Sequence, residues 1–291
     1  MTGGRKLAFV IFLNIFITAA EYIGGLLSGS LALISDAGHN LSDVLSLMLG
    51  YAGEKVSGKG PSRTFSFGLK RFEVIVALAN ALFLLGIGIY ITYEAVSRYL
   101  HPVHINIGVM LPVGMIGFAG NLASMLVLFK ERRSTLNMKA AFLHLLYDTI
   151  SSVAVIGAGI ALYFTGIVLV DLAISLVIVF MIAGSSLSII RDSARIFLQG
   201  APFHIDTDEV YRDISRIENV GSVHGLHIWS INSTEVFLSC HICVSGPAGG
   251  SNTDDIIRKV NSMLEDTYDI RHTTLQVENA QLCSDAGTCC R

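Results

Sequence analysis

Six long runs of apolar residues constrain the fold of this chain more than any other feature. A helix that crosses the hydrocarbon core of a bilayer needs about 20 mostly apolar residues. Because backbone hydrogen bonds in a bilayer must be made within the spanning segment, each run is predicted to be an α-helix. A signal peptide is disfavoured for the first run, since the second follows almost at once. The predicted spans are 7–28, 32–53, 72–97, 106–129, 140–164 and 167–190.

The composition agrees with a membrane protein and divides the chain in two. Hydrophobic residues make up 52% and charged residues 15% of the 291 residues, whereas soluble domains carry about a quarter charged residues. Residues 1–200 contain 14 Lys and Arg against 10 Asp and Glu, and residues 201–291 contain 6 against 13. We therefore predict a transmembrane domain at 1–200, a soluble domain at 201–281 and a flexible, Cys-containing tail at 282–291.

The basic residues near the ends of the spans predict the orientation. Thirteen Lys and Arg fall on one side of the predicted membrane, and only Arg98 falls on the other. Loops rich in Lys and Arg stay in the cytoplasm. Both termini and the soluble domain are therefore predicted to be cytoplasmic. No nucleic-acid-binding signature is present, because orientation already accounts for the basic residues.

The soluble part has the pattern of a small α/β domain. The segment "HIDTDEVYRDISRIENV" predicts a helix with Asp206 as its N-cap. The segments "VHGLHIWSI" and "EVFLSCHICV" are rich in β-branched and aromatic residues and predict a strand pair joined by "NST". A second amphipathic helix, "TDDIIRKVNSMLEDTY", and a last strand, "HTTLQVEN", follow. The order αββαβ predicts one layer of helices over one sheet.

Two of the apolar spans carry the same pair of ionisable residues at the same spacing. His39 and Asp43 lie four residues apart in the second span, so they share one face of a helix. His144 and Asp148 repeat this spacing in the fifth span. An ionisable group at bilayer depth costs at least about 2.5 kcal/mol. We therefore expect the four side chains to face each other and share a divalent cation. Two imidazoles and two carboxylates suit tetrahedral zinc, and also cobalt or cadmium.

Other polar residues in the spans leave two interpretations open. Asp36 precedes His39 by three residues and is either an accessory metal ligand or the N-cap of a helix. Glu21 and Asn121 could line a transport path, although hydrogen bonds between packed helices explain them more simply. For Asp171, at the start of the sixth span, a capping or structural role is favoured.

Four segments, taken in order, resemble the cation diffusion facilitator family, specifically its zinc-transporting branch. They are "SGSLALISDAGHNLSD", "FSFGLKRFE", "HLLYD" and "VHGLHIWSI". The resemblance implies a homodimer of six-span subunits with a cytoplasmic ferredoxin-like domain. It also implies Zn²⁺ export driven by inward proton flow. Some members carry a His-rich loop where this chain has only "KERRSTLN". The lack of a His-rich loop and the compact length favour a location in a bacterial inner membrane.

The resemblance also implies roles for individual residues. The transport-site ligands fall on His39, Asp43, His144 and Asp148. The position of Arg71 implies a charge lock between the two subunits. In the cytoplasmic domain, the resemblance implies zinc ligands at His224, His241 and Glu278. His227 could be either a packed residue or a ligand. A further family ligand aligns with either His272 or Arg271.

All five cysteines lie in the soluble part. On a strand, His241 and Cys243 share one face and Cys240 points to the other, so Cys240 and Cys243 are a poor chelating pair. Relatives often have a tail cysteine pair that closes a second zinc site. Here the candidates are Cys283 with Cys289 or Cys290, and the alternative is a reduced, disordered tail. If zinc binds at these sites, the domain would sense the zinc concentration of the cytosol.

The coupling to protons has a chemical basis apart from the resemblance. Zinc binds neutral imidazole and ionised carboxylate, so loading of the site releases protons. Metal and protons then compete for one set of atoms. A membrane metalloenzyme is disfavoured, because four protein ligands leave no open coordination position and no HExxH motif is present. A metal sensor without transport would need no ligands inside the spans.

Overall fold

The protein is described here from a computed structural model. It describes the backbone of residues 3–57, 60–129, 136–244 and 251–278. The side chains that it describes within these segments exclude residues 3–9, 43, 46–55, 57, 136–141, 144, 251 and 252. The chain forms two compact units. The first contains residues 1–52 and 76–190, and the second contains 53–75 and 191–291.

Six long helices build the first unit and confirm the helical membrane fold. Within the described part of the chain, five of them are long and apolar enough to cross a membrane. The remaining helix, α2, has a similar length but carries Asp36 and Asp43 in its first half. The helices are α1 (Gly3–Ser28), α2 (Leu31–Ser57), α3 (Phe72–Leu100), α4 (Ile107–Phe129), α5 (Leu136–Thr165) and α6 (Leu169–Phe197).

Burial in this unit is reversed relative to a soluble protein. Large apolar side chains such as Phe12, Phe164 and Phe180 lie on the outside. Polar side chains point inward, because lipid offers them no hydrogen-bond partner. The buried polar residues include Asn14, Glu21, Asp36, Asn40, Asn121, Asp148 and Asp171.

The start of α2 is held by a carboxylate from another helix. Asp171 of α6 accepts hydrogen bonds from the backbone N–H of Leu31 at 2.8 Å and from the hydroxyl of Ser30 at 2.6 Å. The first N–H groups of a helix have no partner within it, so a buried N-terminus needs an acceptor from elsewhere. Asp171 therefore caps α2 across the helix interface, which agrees with the capping or structural role predicted from the sequence.

The second unit contains the predicted αββαβ domain. Its sheet has the order β1-β2-β3, with β1 and β2 antiparallel and β2 and β3 parallel. The helices cover one face of the sheet, where Val210, Ile214, Leu238, Ile242 and Leu264 are buried in one core. The elements are α7 (Thr207–Ser215), β1 (Val220–Ser230), β2 (Val236–Val244), α8 (Ser251–Tyr268) and β3 (His272–Glu278).

The first helix of this domain is shorter than its sequence predicts. The side chain of Asp206 accepts from the N–H of Asp208, as expected of an N-cap. The helix was predicted to run to Val220, but α7 ends at Ser215. Asn219 has a φ of +69°, a left-handed conformation that ends helical continuation and turns the chain into β1. The amphipathic pattern of "RIENV" therefore belongs to a turn and to the start of a strand.

The segment between α2 and α3 packs on the sheet of the second unit. The ring of Phe67 meets the ring of Phe237 edge to face, with 5.5 Å between centroids. Lys70 forms an ion pair with Glu235. The hydroxyl of Ser233 donates to Glu73 at 2.6 Å. These contacts explain why residues 53–75 belong to the same compact unit as residues 191–291.

Candidate metal sites

The first candidate site lies where α2 meets α5. Nε2 of His39 lies 3.6 Å from Oδ1 of Asp148. His39 is about one-third exposed and Asp148 is almost fully buried, with 30% and 2% of the side chains accessible. One imidazole and one carboxylate from the two helices therefore meet at this point. Such a pair suits a divalent cation, which neutralises the buried carboxylate.

The other half of this site lies outside the described side chains. The backbone is helical through positions 43 and 144. Each of these residues is four positions from its partner in the predicted set, which places it one turn away on the same helix. The ligand roles of Asp43 and His144 remain predictions from sequence.

Asp36 binds the neighbouring helix and does not cap its own. It lies in the second turn of α2 and is fully buried. It accepts a hydrogen bond from the hydroxyl of Ser151 at 2.5 Å and a longer one from Ser152 at 3.4 Å. The N-cap interpretation is therefore wrong. Asp36 ties α2 to α5 within two turns of His39 and Asp148.

Further hydrogen bonds join the helices around this site. Asn40, next to His39, donates its amide to Glu21 of α1 at 2.7 Å. Asn121 of α4 donates to Ser152 of α5 at 3.0 Å. Both Glu21 and Asn121 thus make the interhelical hydrogen bonds that their sequence context favoured. Four helices are fixed to each other by polar contacts beside the candidate site.

A second candidate site lies on the exposed face of the three-stranded sheet. His224, Cys243 and Glu278 each offer one ligand atom, and these atoms all lie within 4.8 Å of one another. Nδ1 of His224 is 3.8 Å from Sγ of Cys243, and Nε2 is 3.5 Å from Oε2 of Glu278. Cys243 is in a disulfide in this structure, so it can offer a thiolate only after reduction. One nitrogen, one thiolate and one carboxylate would then be a suitable partial ligand set for zinc.

The register of the sheet produces this cluster. His224 of β1 lies opposite His241 of β2, and Cys243 of β2 lies beside Glu278 of β3. Nδ1 of His241 is 2.6 Å from Oε1 of Glu278, so His241 borders the cluster and orients its carboxylate. A carboxylate–imidazole contact of this kind holds metal ligands in place in many zinc sites.

Cys243 was not predicted as a ligand, although the sequence contained the signal. Its strand places it on the same face as His241 and next to the β1 residues that include His224. Cys240 points into the hydrophobic core and is 1% exposed. Burial raises the pKa of its thiol to about 12, so it stays protonated. The prediction that Cys240 and Cys243 do not chelate one ion together agrees with this geometry.

Among the described residues, His227, His272 and Arg71 are not part of this cluster. His227 is exposed and pairs with Ser239, beyond an irregularity of β1 at which Gly225 has a φ of +58°. The ring of His272 packs on Phe237, with 4.1 Å between centroids. Arg71 lies just before α3. The tail cysteines Cys283, Cys289 and Cys290 lie outside the described residues.

Two known sequence families match consecutive parts of the chain. A family model described as "Cation efflux transmembrane domain" matches residues 7–198. A second, described as "Cation efflux protein, cytoplasmic domain", matches residues 202–280.

Similar proteins cover nearly the whole chain. The "Cadmium, cobalt and zinc/H(+)-K(+) antiporter" of Bacillus velezensis is 36% identical over 283 residues, which cover 96% of this chain and 90% of that protein. The "Zinc transporter ZitB" of Escherichia coli is 32% identical over 95% of this chain and 88% of that protein. A solved metal-bound C-terminal domain of the CzcD transporter from Cupriavidus metallidurans covers 25% of this chain and 99% of that chain, at 31% identity and a TM-score of 0.24.

Proposed function

Because the chain belongs to the cation efflux family, the cation diffusion facilitators, we propose that it exports Zn²⁺ in exchange for protons. Members of this family are membrane transporters of metal cations and not enzymes. Relatives that match nearly the whole chain are named as transporters of zinc, or of cadmium, cobalt and zinc. The predicted ligands in the membrane domain suit Zn²⁺ but also cobalt and cadmium, so the narrower assignment to Zn²⁺ follows the names of the zinc-transporter relatives.

The observation that carries the proposal is the distance of 3.6 Å between His39 and Asp148. This contact joins α2 and α5, the two helices that contain the repeated His-x3-Asp pattern. A Zn²⁺ ion would be held by these two side chains together with Asp43 and His144. Two nitrogens and two oxygens complete a tetrahedron, so the ion would leave its water behind.

Proton exchange follows from the chemistry of the same ligands. Zn²⁺ binds only when the imidazoles are neutral and the carboxylates ionised, so protons on these groups must leave before the metal enters. A helix pair that exposes the site alternately to the two sides of the membrane would carry Zn²⁺ in one direction and protons in the other. The printed name of the Bacillus relative, an antiporter with protons and potassium, supports this exchange.

The cluster on the sheet would serve as a regulatory zinc site. His224, Cys243 and Glu278 supply three ligands, and a tail cysteine could supply a fourth. We propose that the second unit lies in the cytoplasm and contacts its copy in a homodimer. The family description of residues 202–280 as a cytoplasmic domain supports this arrangement. The bacterial inner membrane is the proposed location.

Zinc flux into liposomes tests the proposal. Purified protein in vesicles with an acidic interior should accumulate Zn²⁺, and the uptake rate should rise with the pH difference. Asp148→Asn and His39→Ala should each lower uptake by at least about 10- to 100-fold. Losses of this size follow when a residue that only hydrogen-bonds to a metal ligand is replaced, and a ligand itself should matter at least as much. His101→Ala, an exposed histidine between α3 and α4, is the matched control and should leave uptake unchanged. Uptake that ignores the pH gradient, or that survives both site variants, would contradict the proposal.

A further inference from the structure

A large cavity lies within the second unit, and the described residues of the two candidate metal sites do not line it. Its volume is about 1030 Å³. The segment 64–75, which precedes and begins α3, forms one wall. Residues of β1, among them Leu226 and Trp229, form the other. Small-molecule sites usually occupy about 300–1,000 Å³, so this cavity is large enough for an amphiphile with a head group.

The walls of the cavity combine positive charge with apolar and aromatic surface. Lys70 and Arg71 line it, and none of its described lining residues is Asp or Glu. Lys70 is already paired with Glu235. Arg71 forms no ion pair within the described part of the chain. Its guanidinium is therefore available to an anion, and it can bind a phosphate through two parallel hydrogen bonds.

The cavity is connected along the chain to two membrane helices. Phe72 and Ile75, which line it, belong to the first turn of α3. Gln199, which also lines it, follows the last residue of α6 by two positions. Both helices contain long apolar spans. Residues that directly flank such spans lie at the level of the lipid head groups.

The surroundings of the cavity provide more charge and more apolar surface. The guanidinium of Arg195 lies 3.8 Å from the ring centre of Phe203, and its Nε donates to the backbone carbonyl of Ala201, a lining residue. Phe65 and Phe67 line the cavity and remain about half exposed. Trp229, which also lines the cavity, belongs to a residue type that is enriched at the membrane interface.

We propose that this cavity binds the head group of an anionic phospholipid from the surrounding bilayer. Arg71 contacts the phosphate, and Phe65, Phe67 and Trp229 contact the glycerol and the upper acyl chains. A zwitterionic lipid would leave the excess positive charge of the walls unbalanced, so the site prefers lipids with a net negative charge. Free phosphate would leave the aromatic walls in water. The proposal does not depend on which metal the protein carries.

The chain contains one tryptophan, and it lines this cavity. Trp229 fluorescence is therefore a direct measure of occupancy. Full-length protein is placed in phosphatidylcholine vesicles that contain one of two brominated lipids at the same mole fraction. One is phosphatidylglycerol and the other is phosphatidylcholine, and both carry bromine at the head-group end of their acyl chains. We expect the brominated phosphatidylglycerol to quench Trp229 clearly more strongly. Added inorganic phosphate should not remove this preference at constant ionic strength.

Arg71→Gln should reduce the preference for the anionic lipid about fivefold, the effect of one cationic side chain at a membrane surface. Arg71→Lys keeps the charge and should retain part of it. Arg63→Gln is the matched control, because Arg63 is exposed in the same segment and does not line the cavity. Size-exclusion chromatography checks that each variant is folded and keeps the oligomeric state of the parent.

Three results would overturn the proposal. The first is equal quenching by the two brominated lipids. The second is a preference that is unchanged in Arg71→Gln. The third is a Trp229 that neither lipid reaches and that becomes accessible only when the oligomer dissociates, which would show that a second copy of the chain covers the cavity.

Discussion

Two cysteines three positions apart on β2 have opposite environments. Cys240 is in the core under α7 and α8, whereas Cys243 meets His224 and Glu278 on the outer face. The alternation of a strand accounts for the difference, since residues an odd number of positions apart point to opposite faces. A short spacing between cysteines therefore does not by itself indicate a chelating pair.

This difference leads to a prediction at the residue scale. In a background that carries Asp148→Asn, where the proposed transport site is impaired, Cys243→Ser should weaken Zn²⁺ binding to the purified protein under reducing conditions. An expected loss of about 10- to 100-fold in affinity follows from removing a zinc contact. Equilibrium dialysis measures it. Cys240→Ala in the same background should leave affinity unchanged, because Cys240 has no access to the cluster. Equal losses in the two variants would refute the assignment.

The candidate sites show how far residue patterns can be interpreted. The repeated His-x3-Asp pattern pointed to His39 and Asp148 because residues four positions apart on a helix share one face. His224, His241 and Glu278 were named from a family resemblance, and the sheet brings them close together. Cys243 was missed although alternation placed it on the same face as His241, because its partners come from the two neighbouring strands, whose register cannot be read from local alternation. His227 was harder still, since the irregularity after His224 changes the alternation of β1.

At the scale of elements, α2 depends on α6 for its first turn. Asp171→Ala would remove the acceptor of the Leu31 N–H and of the Ser30 hydroxyl. We expect a loss of about 0.5–2 kcal/mol, the usual cost of losing a helix cap, and therefore a lower melting temperature in detergent. Because α2 carries His39, the apparent KM for Zn²⁺ should also rise. Asp192→Ala, at an exposed acid near the end of α6, is the control and should change neither quantity. An unchanged melting temperature for Asp171→Ala would refute the capping role.

The packing of α1 on α4 leads to a second prediction at this scale. A Cβ at Gly117 would lie 2.0 Å from Oε1 of Glu21, which is fully buried. Gly117→Ala should force the two helices apart and destabilise the protein by about 1–3 kcal/mol, as overpacked cores do. Gly86→Ala in α3 meets no atom within 4 Å and serves as the control. It should be neutral or slightly stabilising, because Ala favours helix. Thermal unfolding in detergent distinguishes the two, and equal melting temperatures would contradict the close approach.

The helices themselves were largely predictable from apolar length, and the strands from alternation and β-branched content. The end of α7 was not, because "RIENV" keeps the amphipathic pattern while Asn219 reverses the backbone. Nor was the capping of α2 by Asp171, which lies 140 positions from Leu31 along the chain. Contacts over such separations depend on how helices pack, and no local pattern encodes them.

At the scale of the whole molecule, the segment between α2 and α3 belongs with the C-terminal sheet. The Lys70–Glu235 pair contributes to this attachment. Both side chains are more than one-third exposed, so we expect a coupling of about 0.2–1 kcal/mol that weakens with salt. Lys70→Glu should increase proteolytic cleavage in this segment, and Lys70→Glu with Glu235→Lys should restore resistance.

Arg63→Glu provides the control for this charge reversal, because Arg63 is exposed and has no ion pair in the described residues. It should leave the cleavage rate near that of the parent protein. If the double variant is cleaved as fast as Lys70→Glu alone, the ion pair does not contribute to the attachment.

The attachment of residues 53–75 changes what a truncation experiment can show. A chain ended at residue 200 loses the metal cluster on the sheet, but it also strips Phe67 of the ring against which it packs and leaves Lys70 without its counter-charge. The exposed aromatic segment would invite aggregation next to the helix that holds His39. Loss of activity in such a truncated chain would therefore not isolate the role of the candidate zinc site on the sheet. Point substitutions at Cys243 or Glu278 test that role directly.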